Sequence, residues 1–422
     1  MTIERFFPNT STLAYYDFLD QVININSLDL EKLKQHKKLS NFQKTTSVLP
    51  LCQHEYTHWL DSTSTIWGIN FLNVLYKTYD IEDYREFING NIDYLNLNKL
   101  ILRMRSHHLH IKNHSTENTI PWAYRYEYKI IKETYVQPVV HFLNKDTHEV
   151  ICSVPMSTLS ILESSATAQE LAMKTNLILG LLKDGEKIVE MKLHEKEIIE
   201  QIYNPSLTEY CVAVHIVANS IQVEDILQVY SICSILSRFV LNFPSKYFEK
   251  ISLSSSIEEL DFLTIDNIHI YENTLKEKDI SLLFFIIARK LKFEKIIKIN
   301  DESIQEAIVN ILKSFKINFN KEFKDTVQEE YNEYSSYFEK YNYPPIEYII
   351  TAGKNNFNSL GIFGKQLYDF HSLETPKALL GDNSEFPCFK NFIKTFSPLI
   401  QKEHLSKATH AVNETFKMTF NK

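Results

Sequence analysis

The chain has 422 residues, 44% of them hydrophobic, which suffices to bury one large core or two moderate ones. Its 53 acidic and 45 basic residues leave a net charge of −8 with no concentrated basic stripe, which argues against nucleic-acid binding. Five scattered cysteines suggest reduced thiols in a cytoplasmic protein, and the longest apolar run, near 282–288, is too short to cross a membrane.

Residues 1–8 show no basic start followed by an apolar run, so no export signal is expected. Only 8 Gly and 12 Pro favour a helix-rich protein with few tight turns. Residues 11–37 are expected to form one or two short helices. A longer helical pattern follows, with Thr45, Thr46 and Ser47 as candidate caps, Pro50 in the first turn and apolar residues continuing to Tyr79.

Inside that pattern His54-Glu55-Tyr56-Thr57-His58 reads H-E-x-x-H. Residues four apart on a helix lie on one face, so the two imidazoles can reach one Zn²⁺ together. Glu55 sits at the rim of that face, where its carboxylate reaches a water on the metal but is poorly placed to ligate. Leu51, Cys52, Gln53, Tyr56, Thr57, Trp59 and Leu60 around it are all uncharged, as a buried metal-bearing helix requires. The bland alternative is a helix whose two histidines merely pack or hydrogen-bond.

Segment 51–60 resembles the active-site helix of the zincin metallopeptidases. The resemblance implies zinc ligation by His54 and His58 and a general-base role for Glu55. It covers the motif and its flanks, so it defines a site better than a subfamily. A catalytic zinc usually takes a third protein ligand and leaves one position open. The metzincin pattern would need a Gly and a further His where this chain has Asp61 and Ser64, which excludes that subfamily. The gluzincin pattern takes a Glu from a second helix instead. Glu163 fits, because the small residues at 164–168 after it let two helices approach closely, and the E-S-x-A run is similar to gluzincin ligand helices. Glu170, two turns on, is the rival ligand. Asp61 reads as an acceptor for a ring N–H or as a solvated residue. The cluster Arg105, His107, His108 and His110, with His114, reads as an exposed polar segment.

Between the two proposed metal helices, 124–130, 135–143 and 149–154 alternate or cluster β-branched and aromatic residues, with a turn at 144–147. A small antiparallel sheet beside a metal helix is the zincin arrangement. Its edge either holds an extended peptide by strand addition or only covers the core. A long apolar helical region at 207–241, bounded by Pro205 and Pro244, belongs in the core. Tyr210 and His215 lie on it. By the resemblance they are candidate donors to a developing oxyanion, and by packing they are core residues. After a polar break at 254–256, Lys-rich amphipathic helices are expected at 277–297 and 304–323. An aromatic, loop-rich tail from 341 could fold back as a lid.

The expectation is a mainly α protein with a small antiparallel β-sheet (α+β), a zincin-like catalytic core at 1–245 and a helical accessory region at 246–422. Its expected function is zinc-dependent hydrolysis of peptide bonds in an intracellular protein. The alternative is a non-enzymatic, metal-binding sensor or interaction protein. Oligomeric state is not readable from the chain.

Overall fold

A computed structural model describes residues 13–36, 38–79, 96–97, 99–101, 123–131, 135–144, 146–204, 207–221, 223, 225–294, 296, 298–341 and 343–420. The chain is mainly helical with two small sheets, an α+β protein. In chain order the elements used below are β1 (Tyr15–Asp17), β2 (Val22–Ile25), α1 (Leu30–His36), α2 (Asn41–Thr46), α3 (Leu49–Thr63) and α4 (Ile66–Tyr79). Then come β3 (Ala123–Ile131), β4 (Tyr135–Leu143), β5 (Val150–Pro155), α5 (Thr158–Leu181), α6 (Asp184–Ile202), α7 (Thr208–Ile221) and α8 (Ile226–Leu241). The rest are α9 (Ile268–Lys276), α10 (Ile280–Lys290), α11 (Asp301–Ser314), α12 (Lys321–Ser336), α13 (Pro344–Leu360), β6 (Ala378–Leu380), β7 (Glu385–Phe386) and α14 (Pro398–Phe420). No helix of the described residues is long and apolar enough to cross a membrane.

The chain forms two compact units, both discontinuous. The first comprises Met1–Lys99, Tyr331–Gly361 and Tyr368–Lys422, and the second Leu100–Glu330 and Ile362–Leu367. Residue 246, where an accessory region was expected to begin, falls inside the second unit.

In the first unit a four-stranded sheet runs in the order β1-β2-β6-β7. β1 and β2 form a tight antiparallel pair, Tyr15 opposite Asn24, around Gln21, whose φ is +58°. The Gln21 side-chain amide donates to the carbonyls of Phe18 and Leu19, which holds that turn closed. β2 then pairs in parallel with β6, Asn24 beside Leu379. This sheet corrects the expectation of helices alone at 11–37 and of strands only between the metal helices. Its strands are two to four residues long, and their pairing partners lie far away in the chain.

Two helices replace the single one expected from 50 to 79. α3 ends at Thr63, and Thr65 caps the next helix: its hydroxyl bonds back to the Asp61 carbonyl and accepts from the Gly68 N–H at 3.0 Å. The expected caps Thr45, Thr46 and Ser47 belong to α2 and its C-terminus. α3 begins after Val48 with no side-chain cap, and Pro50 occupies its first turn as expected.

In the second unit β3, β4 and β5 form an antiparallel meander, with Val140 opposite both Tyr126 and Val154. Its strand limits fall within a residue or so of those expected. The β4–β5 turn is closed by Asn144, whose side chain accepts from the N–H groups of Asp146 and Thr147. The helical region at 207–241 is two helices, α7 and α8, the second capped by Asp225, whose carboxylate accepts from the Leu227 N–H at 3.0 Å. α5, α7, α8 and α10 pack together as the centre of this unit. α8 is buried from Val229 to Leu241 apart from the half-buried Ser231, in keeping with its largely apolar sequence. The segment Ile362–Leu367 lies against α8. An added Cβ at Gly364 would stand 2.9 Å from the Ile235 Cα and closer still to the Ser234 carbonyl oxygen. The tail beyond 341, expected to be loop-rich, carries two long helices, α13 and α14.

Candidate metal centre

Every residue of α3 from Gln53 to Thr63 except His54 is buried, and His54 is half-buried. Glu55 and Asp61 are the acidic residues of this enclosed helix, and polar side chains fix its rotation. Gln53 donates to the Tyr368 carbonyl at 2.9 Å, and the Tyr56 hydroxyl donates to the Pro376 carbonyl at 2.8 Å. At the far end the Tyr331 hydroxyl donates to the Thr63 carbonyl at 2.7 Å. Gly353 of α13 permits backbone contact there, since a Cβ at that position would lie 3.0 Å from the Thr63 carbonyl carbon. Sequence reasoning missed these tethers. Gln53 and Tyr56 meet partners 315 and 320 residues away, and nothing local marks them.

So anchored, α3 presents His54 and His58 one turn apart, their ring centroids 5.0 Å apart and their planes 76° to each other. Phe18, which follows β1, packs on His58 with ring centroids 5.7 Å apart. Glu55 is 4% exposed, and Asp61 is fully buried.

Glu163 lies in the second turn of α5. That helix starts where β5 ends, and Ser157 caps it by accepting from the Ser160 N–H. Ser164, Ser165, Ala166, Thr167 and Ala168 beside it are buried, as their small size anticipates. Gln169 is held by donating to the Lys365 carbonyl at 2.7 Å and to the Ser234 hydroxyl at 2.8 Å.

His54, His58 and Glu163 each offer one ligand atom, and these atoms all lie within 4.8 Å of one another. Among the described residues this is the group able to hold a metal ion, and neither Glu170 nor Asp61 belongs to it. The cluster at 105–114 lies outside the described residues.

His215 is seated as a core residue. Its ring packs edge-on against Phe142 at 5.1 Å and Tyr203 at 5.9 Å, with Nε2 3.4 Å from the Ile202 carbonyl. Burial lowers its pKa to about 4. Tyr210, on the same helix, is half-buried. Neither is a member of the donor group.

The chain matches no protein-family model, no curated protein and no solved structure.

Proposed function

We propose that this protein is a zinc-dependent metallopeptidase with a zincin-like catalytic core of the gluzincin type, holding its metal through His54, His58 and Glu163. The observation that carries the reading is the convergence of two imidazoles and one carboxylate within 4.8 Å, with Glu55 on the same helix as the two imidazoles. Three atoms so spaced leave a central ion within about 2.8 Å of each, against about 2.0–2.2 Å in zinc sites, so small side-chain adjustments close the shell. Two His and one Glu are the donor set of a catalytic zinc, which keeps a position free. A structural site would use four protein ligands, usually with more Cys.

Bound there, zinc supplies Lewis acidity, lowering the pKa of a water towards ~7 and polarising a substrate carbonyl. Glu55 sits one residue from His54, too far round the helix to share its ligand direction. It accepts the proton of the attacking water and delivers it to the departing amine. His54 and His58 must be neutral to ligate, so binding weakens in acid. Their orientation is kept by the packing of Phe18 and by the tethers of Gln53 and Tyr56. The edge of the β3–β5 meander, directly before the Glu163 helix, is suited to hold an extended peptide. All five cysteines are free thiols, in keeping with a protein substrate in a reducing, cytoplasmic setting.

The test compares purified wild type and Glu55→Gln on a mixed peptide library, with metal content measured alongside. Wild type is expected to cleave, to lose cleavage to a chelator and to regain it with zinc. Glu55→Gln is expected to keep its metal and cleave nothing. Cleavage persisting in Glu55→Gln would end the hydrolase reading. A wild type that binds zinc and cleaves no peptide would leave the metal-binding sensor or interaction protein in its place.

A further inference from the structure

α6 is held to the second unit along a narrow stripe. Its buried residues are His194, Ile198 and Ile202, and Glu197 beside them is paired with Lys174 of α5. Elsewhere the helix turns apolar side chains to solvent. Of the twelve large hydrophobic residues exposed among the described ones, six fall between 179 and 199: Leu179, Leu181, Ile188, Val189, Leu193 and Ile199. Exposed apolar residues are ordinary when scattered singly, whereas a cluster of them marks an interaction surface.

Four exposed residues of α6 make a regular seam. Ile188, Lys192, Glu195 and Ile199 follow one another at intervals of four, three and four, which sets them in one line along the helix, as a and d positions are in a coiled coil. Ile188 is 61% exposed and Ile199 49%. Charges on either side of the seam are engaged within the helix, Lys187 with Asp184 at 3.6 Å and Lys196 with Glu200 at 3.7 Å. Lys192 and Glu195 enter no ion pair among the described residues.

The order Ile, Lys, Glu, Ile is its own complement when reversed. If a second copy runs antiparallel about a two-fold axis between residues 193 and 194, Ile188 meets the partner's Ile199 and Lys192 meets the partner's Glu195. Each contact then occurs twice. A parallel copy would oppose lysine to lysine and glutamate to glutamate, with repulsion at both central layers. A lipid surface fits poorly, because α6 carries six acidic residues against three lysines and anionic headgroups would repel it.

We infer that this face of α6 is the interface of a homodimer, in which the seam of Ile188, Lys192, Glu195 and Ile199 pairs antiparallel with its copy. Val189 flanks the seam and adds apolar area. Four layers bury less than the ~800 Å² per partner of a standard interface, so the dimer is weak and depends on concentration. This inference does not depend on the peptidase reading.

The experiment is sedimentation equilibrium of the full-length protein from about 1 to 300 µM, the range of a small interface. The mass is expected to rise from 49.6 kDa towards twice that value. Lys192→Glu and Glu195→Lys each set like charges across the axis twice, and each is expected to weaken association by about tenfold or more. Combining the two substitutions restores opposite charges and is expected to return the affinity towards that of wild type. Both positions are exposed, so the melting curves of all three variants should match wild type. A wild type that stays at 49.6 kDa throughout would overturn the inference, whether or not it binds vesicles containing phosphatidylserine. So would a dimer that both single variants leave intact, or a double variant that associates no better than the singles.

Discussion

Replacing Gly353 by alanine tests how closely α13 packs against the C-terminal end of the motif helix. The new Cβ would stand 3.0 Å from the Thr63 carbonyl carbon, 3.1 Å from the Thr63 Cβ and closer still to the Thr63 oxygen. None of these is the far end of a flexible side chain, so the two helices must part by roughly half to one ångström, an overpacking cost of about 1–3 kcal/mol. The same carbonyl accepts from Tyr331 at 2.7 Å, and weakening that bond adds about 1 kcal/mol. Alanine returns about 1 kcal/mol of helix propensity. The net expectation is a loss of about 1–3 kcal/mol. Gly180 in α5 is the matched control, since nothing lies within 4 Å of a Cβ there. Gly180→Ala is expected to gain about 0.5–1 kcal/mol. Urea unfolding curves of the two variants and wild type measure both. If Gly353→Ala proved as stable as wild type or more so, the backbone contact at Thr63 would be wrong.

Glu163→Ala removes one of the three donors and is expected to lower zinc affinity by more than about 100-fold, read by competition with a chromogenic chelator. Full zinc content after dialysis would reassign the third ligand. Wild type held at a zinc concentration a hundred times its Kd should gain about 2.7 kcal/mol of stability, a gain absent in Glu163→Ala. Burial of His215 contributes a pH dependence of known sign. Its folded pKa of about 4 lies below the ordinary 6.5, so the unfolded chain binds the proton more readily. Stability is full above pH 6.5 and is lost progressively as pH falls towards 4, by on the order of 3 kcal/mol. His215→Gln should flatten that slope in unfolding curves recorded with a chelator present, and an unchanged slope would refute the assignment. Gly364→Ala should destabilise the second unit, because the segment 362–367 cannot back away from Ser234 while Lys365 is held by Gln169. Native-like proteolytic resistance in that variant would contradict it.

The side chains that lie within 4.8 Å of one another, His54, His58 and Glu163, are ones the sequence marked, because their signal is local. H-E-x-x-H places two imidazoles on one helix face, and the small residues after Glu163 advertise close packing. The meander was legible for the same reason: alternation and the turn at Asn144 lie within one short stretch. Long-range pairing was not legible. β1 and β2 are too short to show a period, and β2 finds its parallel neighbour β6 more than 350 residues later. The helix at 50–79 looked continuous because apolar residues resume at Ile66 directly after the polar stretch 61–65, where Thr65 substitutes its hydroxyl for a backbone acceptor. The core seat of His215 was an alternative that its apolar neighbours had left open. Only the packing of Phe142 and Tyr203 around its ring resolves it.

The discontinuity of the first unit bears on how the protein is made. Gln53 and Tyr56 wait for Tyr368 and Pro376, which leave the ribosome more than 300 residues after them. At roughly 5–20 residues per second, the motif helix spends on the order of 15–60 s of translation without the acceptors that orient it. The helix face that carries His54 and His58 is therefore held in place only once residues 368–376 have emerged. A product broken off before Pro376 would carry the complete HEYTH signature and still lack the acceptor of Tyr56.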